Sequence, residues 1–207
     1  MSPILTQLPE DIIRQETVVI IKKYLCEKTY TPISFCEEVT LKEGFDTQTT
    51  WLSGELCLGS GAAQRVASLS GCGKGPVDAL FNSFYSQFAP DYSFLDFLHL
   101  REFKVDTLRA PHPYLRTDAL ALATIIVQIE DRHAIAFRRE ARSLIEASLQ
   151  STLTMFEYFI NAQATMTILK KLVKDYKERN RGDLYDQALS DLVNLNRCAY
   201  YKEQAST

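Results

Sequence analysis

The stretch SGCGKGPVDALFNSF, residues 70–84, sets Gly71, Gly73 and Gly75 immediately before a proline and a run with helical spacing. Pro76 suits a first helical turn, where its fixed φ is right and its missing N–H would have had no partner. Val77, Leu80, Phe81, Phe84 and Phe88 then share one helical face. Just upstream the period is two. In WLSGELCLGS (51–60), Leu52, Gly54, Leu56 and Leu58 alternate with polar Ser53 and Glu55, which marks a strand. A glycine-rich turn at 59–61 leads into AAQRVASLSG as a second strand. The local order is strand, turn, strand, glycine turn, helix.

The order recurs. YSFLDFLHLREFKVDTL (92–108) reads as a strand, and APHPYLR (110–116) as a loop whose two prolines exclude a central strand. TDALALATIIVQIE is a strand, DR a turn and HAIAFRR a strand. A long helix opens near Ser143, with Ile145, Leu149, Leu153, Phe156 and Ile160 on one stripe. Strands followed by a helix thus occur twice, about 65 residues apart. The expectation is an α+β fold built by internal duplication, a sheet with helices packed on one side.

Flanking helices complete the chain. Residues 9–27 form an N-terminal helix from Pro9, with Ile12, Ile13, Ile20, Tyr24 and Leu25 as its apolar positions; YTPIS (30–34) breaks it. The helix from Ser143 continues or breaks around 162–166 and runs to about 180. RGD (181–183) supplies a glycine stop and an aspartate cap. A last helix carries Leu184, Ala188, Leu192, Leu195 and Ala199. That stripe must be covered, either by the chain's own sheet or by a partner subunit. The organisation expected is a helical extension over 1–34, a central domain over 35–163 and a helical extension over 164–207.

The bulk numbers narrow the function classes. The chain has 207 residues, 46% hydrophobic and 24% charged, with a net charge of −3. That is globular composition, without the clustered basic face that nucleic acid requires. The longest apolar run, ALALATIIV (119–127), is about half of a membrane span. The N-terminus has no signal-peptide pattern, so a cytoplasmic protein without membrane partners is expected. Five widely spaced cysteines with no CxxC pattern read as reduced structural thiols. His99, His112 and His133 are scattered, which argues against a metal site or a catalytic triad.

The glycine stretch tests as a phosphate cradle and fails. A P-loop ends Gly-Lys-Ser/Thr, but Ser68 stands where its first glycine belongs and Gly75 where its hydroxyl belongs. A dinucleotide fingerprint fails at Pro76. What remains is a helix start with outward amides at Val77, Asp78 and Ala79, suited to a carboxylate. Asp78 is equally placed to balance that dipole itself. Glycine at 75 is expected to permit a strained turn and close ligand approach. Cys72 stands at the same helix start, the position of an activated thiol, or of a plain structural cysteine.

GKGPVDAL resembles the G-(Asn/Asp)-G-P-V-D-A motif of the C-terminal regulatory, or dimerisation, domain of α-isopropylmalate synthase, a domain shared with citramalate synthases. TTWLSGELCLGSGAAQRVASLSGCGKGPVDALFNSF is similar to its first half, TDALALATIIVQI to its second-half strand, and SLIEASLQSTLTMFEYFIN, closing at Asn161, to its final helix. The likeness covers about residues 35–163. It implies a duplicated strand-and-helix fold that senses leucine or isoleucine in branched-chain amino acid biosynthesis and pairs subunits. The implied ligand loop is Gly73, Lys74, Gly75, Pro76, Val77, Asp78 and Ala79, faced by Asp118, Ala119 and Ala121. Lys74 and Arg116 depart from the family pattern, and Arg138, Arg139 and Arg142 stand where the second helix start is open in the family.

The implied function is a non-catalytic regulatory and dimerisation module. It needs no cofactor and has no catalytic residue, because the family's metal-binding barrel is absent and such barrels need roughly 250 residues. Its partners would be a branched-chain amino acid or similar carboxylate, a second copy of the chain, and a separate synthase catalytic subunit. The alternative is a pure interaction module that kept the fold and lost the ligand.

Overall fold

The structure, a computed structural model, describes residues 9–27, 29–61, 64–108 and 120–199. It is α+β, with helices packed against two antiparallel sheets. Helix α1 spans Pro9–Tyr24. Strands β1 (Ile33–Phe35), β2 (Thr40–Gly44), β3 (Thr49–Leu58) and β4 (Arg65–Gly73) form the first sheet, and α2 (Pro76–Phe88) follows. A short 3₁₀ turn, Ser93–Phe97, precedes β5 (Leu98–Leu108). Strands β6 (Leu120–Ile129) and β7 (Ile135–Ala141) complete the second sheet. Helix α3 runs unbroken from Leu144 to Glu178, and α4 spans Gly182–Asn196.

β1 and β2 lie end to end along one edge of β3, while β4 takes the other edge. Phe35 pairs with Leu56 and Thr40 with Ser53, so four residues, 36–39, stand opposite only Gly54 and Glu55. The bulge makes β1 and β2 one interrupted strand. The first unit is therefore strand, β3, β4, α2, and the second is β5, β6, β7, α3. Their helices start at Pro76 and Leu144, 68 positions apart.

The repeat holds at single residues. In β3–β4, Thr50 pairs with Gly73 and Leu52 with Gly71; in β6–β7, Ala121 pairs with Ala141 and Ala123 with Arg139. Buried Leu69 and Phe137 stand at matching positions 68 apart, as do Ala79 and Ala147, each fully buried at the first turn of its helix. Small residues there let each helix settle directly on its sheet. The duplication read from the alternating patterns is present in register.

The units meet through aromatic rings. Phe84 of α2 stacks on Phe156 of α3 with centroids 3.8 Å apart. Phe94 lies 5.4 Å from Phe159, and Phe159 lies 6.0 Å from Phe137. One hydrophobic cluster runs from Ile20 and Ile21 on α1 through both units to Ala188, Leu195 and Ala199. The last-helix stripe is thus covered within the chain. α4 packs on α3, and Lys23 Nζ and Tyr24 Oη bond Asp191 Oδ2 at 2.6 and 2.8 Å. The amphipathic α4 stripe consequently carries no evidence for a partner subunit.

The cysteines correct one expectation. Cys36 and Cys57 form a disulfide, with Cα atoms 5.3 Å apart. Cys36 sits at the bulge where its N–H donates to Glu55 O at 2.9 Å, which brings it beside Cys57 on β3. Strand register, invisible in cysteine spacing, makes the pair. Cys26 and Cys72 are free and exposed, and Cys198 is free and buried. No helix among the described residues is long and apolar enough to cross a membrane.

Candidate functional site

The glycine junction is built for packing. Gly71 and Gly73 alternate on the face of β4 that α2 crosses. A Cβ on Gly71 would run into Ser83, reaching its backbone N at 2.9 Å; on Gly73 it would meet Ala79 N at 2.5 Å. Both positions need glycine because the helix backbone lies against the strand. Gly75 is different. Its φ of −169° is extended backbone that any residue adopts, and a Cβ there meets nothing within 4 Å. The expectation that a side chain at 75 strains the turn is therefore corrected.

The helix start is partly occupied by its own protein. Asp78 Oδ2 accepts from Lys74 N at 2.8 Å. Ala79 N is not free; it donates to Gly75 O at 2.9 Å in the first helical turn. The Asp78 carboxylate supplies the negative charge that the helix dipole favours. Pro76 and Val77 are half-buried beside it, and Lys74 is exposed.

The facing strand divides. Asp118 and Ala119, with Arg116, lie outside the described residues. Ala121 belongs to the second sheet, packed with Ala123, Ala141, Ala147 and Val105. Gly73–Ala79 and Ala121 therefore lie in different units: Ala121 is the counterpart of Thr50, and Gly73 that of Ala141. Of the three arginines, Arg138 pairs with Asp11 of α1 at 3.1 Å, and Arg139 Nε donates to Thr154 Oγ1 at 2.8 Å. Arg142 is exposed.

A second site lies where α1, the segment 30–33 and α3 converge. It is a cavity of about 180 Å³, with Arg14, Val18, Ile21 and Lys22 from α1, Phe137 from β7 and Glu157, Tyr158 and Asn161 from α3 among its walls. Glu157 accepts from Tyr30 Oη at 2.6 Å and from Ile33 N at 2.9 Å. Burial, reinforced by that carboxylate, pushes the Tyr30 hydroxyl well above its ordinary range. Buried Tyr158 donates to Thr17 Oγ1 at 2.7 Å, and its burial likewise raises it. Arg14 lies over the Phe137 ring at 5.6 Å, with its Nε buried and without a partner. Burial lowers the Arg14 pKa, opposed by the nearby Asp11.

The helical patterns hold a signal for this cavity. Arg14, Val18 and Ile21 are spaced i, i+4, i+7, so an arginine shares an apolar face. Glu157 and Asn161 do the same on α3. Charged and amide groups inside such stripes ask for specific partners. The chemistry available is recognition, with the Arg14 guanidinium set beside the apolar Val18, Ile21 and Phe137. Among the described residues, no group of three or more His, Cys, Asp or Glu side chains is arranged to hold a metal ion. Neither a scan against protein-family models nor a search of curated proteins finds a match to this chain.

Proposed function

We propose that this chain is a non-catalytic regulatory module of the isopropylmalate-synthase type, acting in the cytoplasm in leucine or related branched-chain biosynthesis. It takes a branched-chain amino acid or similar small carboxylate and pairs with a second copy or with a separate synthase catalytic subunit. The reading is supported by one observation above all. The described residues among those that carry the family resemblance fall on a duplicated strand-strand-strand-helix unit, repeated in register with its helix starts 68 positions apart. Effector binding would alter pairing only through a difference in affinity between two states of the assembly. Any acyl transfer belongs to the partner's barrel.

One observation favours a second reading, the pure interaction module. Asp78 already holds the Lys74 amide, so the junction has its own anion.

Sedimentation velocity of the purified chain, with and without leucine, separates the two. The regulatory reading expects a dimer whose association constant changes with the amino acid. Association that ignores every amino acid supports the interaction module, and a monomer at tens of micromolar in all conditions removes self-pairing. Thiol release from acetyl-CoA above the blank would overturn the non-enzyme assignment.

A further inference from the structure

The polar groups around the α1–α3 cavity are nearly all spent on one another. Glu157 accepts with both oxygens, from Tyr30 and Ile33. Asn161 is committed to Thr31, and Tyr158 to Thr17. The exception is Arg14, whose Nε is buried and unpartnered while its guanidinium lies over Phe137. An orphaned buried donor on a charged group is costly and rare in folded proteins, and it calls for a ligand.

Charge and shape say which ligand. Arg14 and Lys22 outnumber Glu157 on the walls, and Asp11 is already paired with Arg138. The site therefore carries a positive excess. The remaining surface, Val18, Ile21 and Phe137, is apolar. We propose that this cavity binds a small monocarboxylate with a short apolar body, its carboxylate on Arg14 and its body against Val18, Ile21 and Phe137.

A planar carboxylate fits a guanidinium side-on, through Nε and one Nη, in the two-bond geometry that arginine favours. A volume of about 180 Å³ exceeds the ~150 Å³ that suffices for benzene, leaving room for roughly six to eight heavy atoms. The inference rests on the proposed function in one respect, that the effector is a carboxylate, and it moves that effector from the glycine junction to Arg14. The ligand would then bridge the N-terminal helix, which lies outside the family-like stretch, to the second unit.

The test is calorimetric titration of the full chain with 3-methylbutanoate. The controls are 3-methylbutan-1-ol for the body alone and inorganic phosphate for charge alone. The acid should bind more tightly than either control. Arg14→Gln and Val18→Trp should each weaken it about tenfold or more, Arg14→Lys should restore part of the loss, and Gly75→Val should leave it unchanged. Far-UV melts establish that each variant is folded, and Val18→Trp serves if Arg14→Gln is not. Binding that survives Arg14→Gln and Val18→Trp but is lost in Gly75→Val places the effector at the glycine junction; this inference then fails while the regulatory reading stands. Phosphate binding as tightly as the acid overturns the carboxylate assignment. No binding of the acid at millimolar concentration overturns the inference, and the ligand-linked sedimentation experiment then decides the regulatory reading by itself.

Discussion

The side-chain amide of Asn161 pairs with both sides of one backbone unit. Its Oδ1 accepts from Thr31 N at 2.8 Å and its Nδ2 donates to Thr31 O at 2.9 Å. Nδ2 also donates to Glu157 O at 2.7 Å. A residue on α3 thereby closes the connection between α1 and the first sheet, where no strand partner exists for Thr31. Asn161 is 1% exposed, so water cannot replace these bonds. Asn161→Ala should cost about 2–4 kcal/mol, because two backbone groups lose their partners. At roughly 2–4 °C per kcal/mol for a chain of this size, calorimetry should find the melting temperature lowered by about 4–16 °C.

The three glycines of residues 71–75 should separate cleanly. Gly73→Ala and Gly71→Ala drive a Cβ into the α2 backbone at Ala79 and Ser83, so each should destabilise by about 1–3 kcal/mol. Gly75→Ala places its methyl in open space on extended backbone, and the gain through the unfolded chain is offset by a poorer N-cap of α2, so stability should change by less than about 1 kcal/mol. Urea midpoints of the three variants measure the contrast. Equal losses at all three positions would refute the packing explanation.

Much of this architecture is legible in the residues themselves. Alternation in WLSGELCLGS fixes the inward face of β3: Leu52, Leu56 and Leu58 are buried and Ser53 and Glu55 exposed. Pro76 and Ser143 mark the two helix starts, Ser143 Oγ accepting from Glu146 N at 3.4 Å. What sequence could not supply was register and long-range company. Cys36 and Cys57 meet because a bulge shifts β1 against β3. The α4 stripe is periodic whether α3 or a partner covers it. Arg14 becomes notable only once Phe137 and Glu157, more than a hundred residues away, close around it.

The Cys36–Cys57 bond closes a 21-residue separation across the bulge that joins β1 to β2. Removing it with Cys36→Ser/Cys57→Ser should lower stability by about 3 kcal/mol, on the loop-entropy scale. A non-reducing peptide map should link the two cysteines and leave Cys26, Cys72 and Cys198 as thiols. Reductant should lower the melting temperature of the native chain and not of the double variant.

Stability should fall in alkali. Burial pushes the Cys198 thiol from its ordinary 9.0 to about 11, and burial also raises Tyr30 and Tyr158 above their ordinary 10.0. The folded state therefore keeps protons that the unfolded chain releases, and stability declines as pH rises past the unfolded values. Their contribution is complete below about pH 9 and is lost progressively above it. Melting temperatures at pH 7 and 8.5 should differ little on account of these groups, with a decline from pH 9 to 11. Cys198→Ala should flatten the first part of that decline.

On the proposed function, this duplicated fold senses a small branched carboxylate. The most direct measurement is the melting temperature of the native chain with millimolar leucine, isoleucine, valine and their 2-oxo acids. A ligand at 100 times its dissociation constant that binds only the folded state adds about 2.7 kcal/mol, equivalent to roughly 5–11 °C here. At least one of these compounds should raise the melting temperature by several degrees in a concentration-dependent way. A well-folded chain whose melting temperature none of them moves would contradict the sensing role and leave the interaction module as the surviving reading.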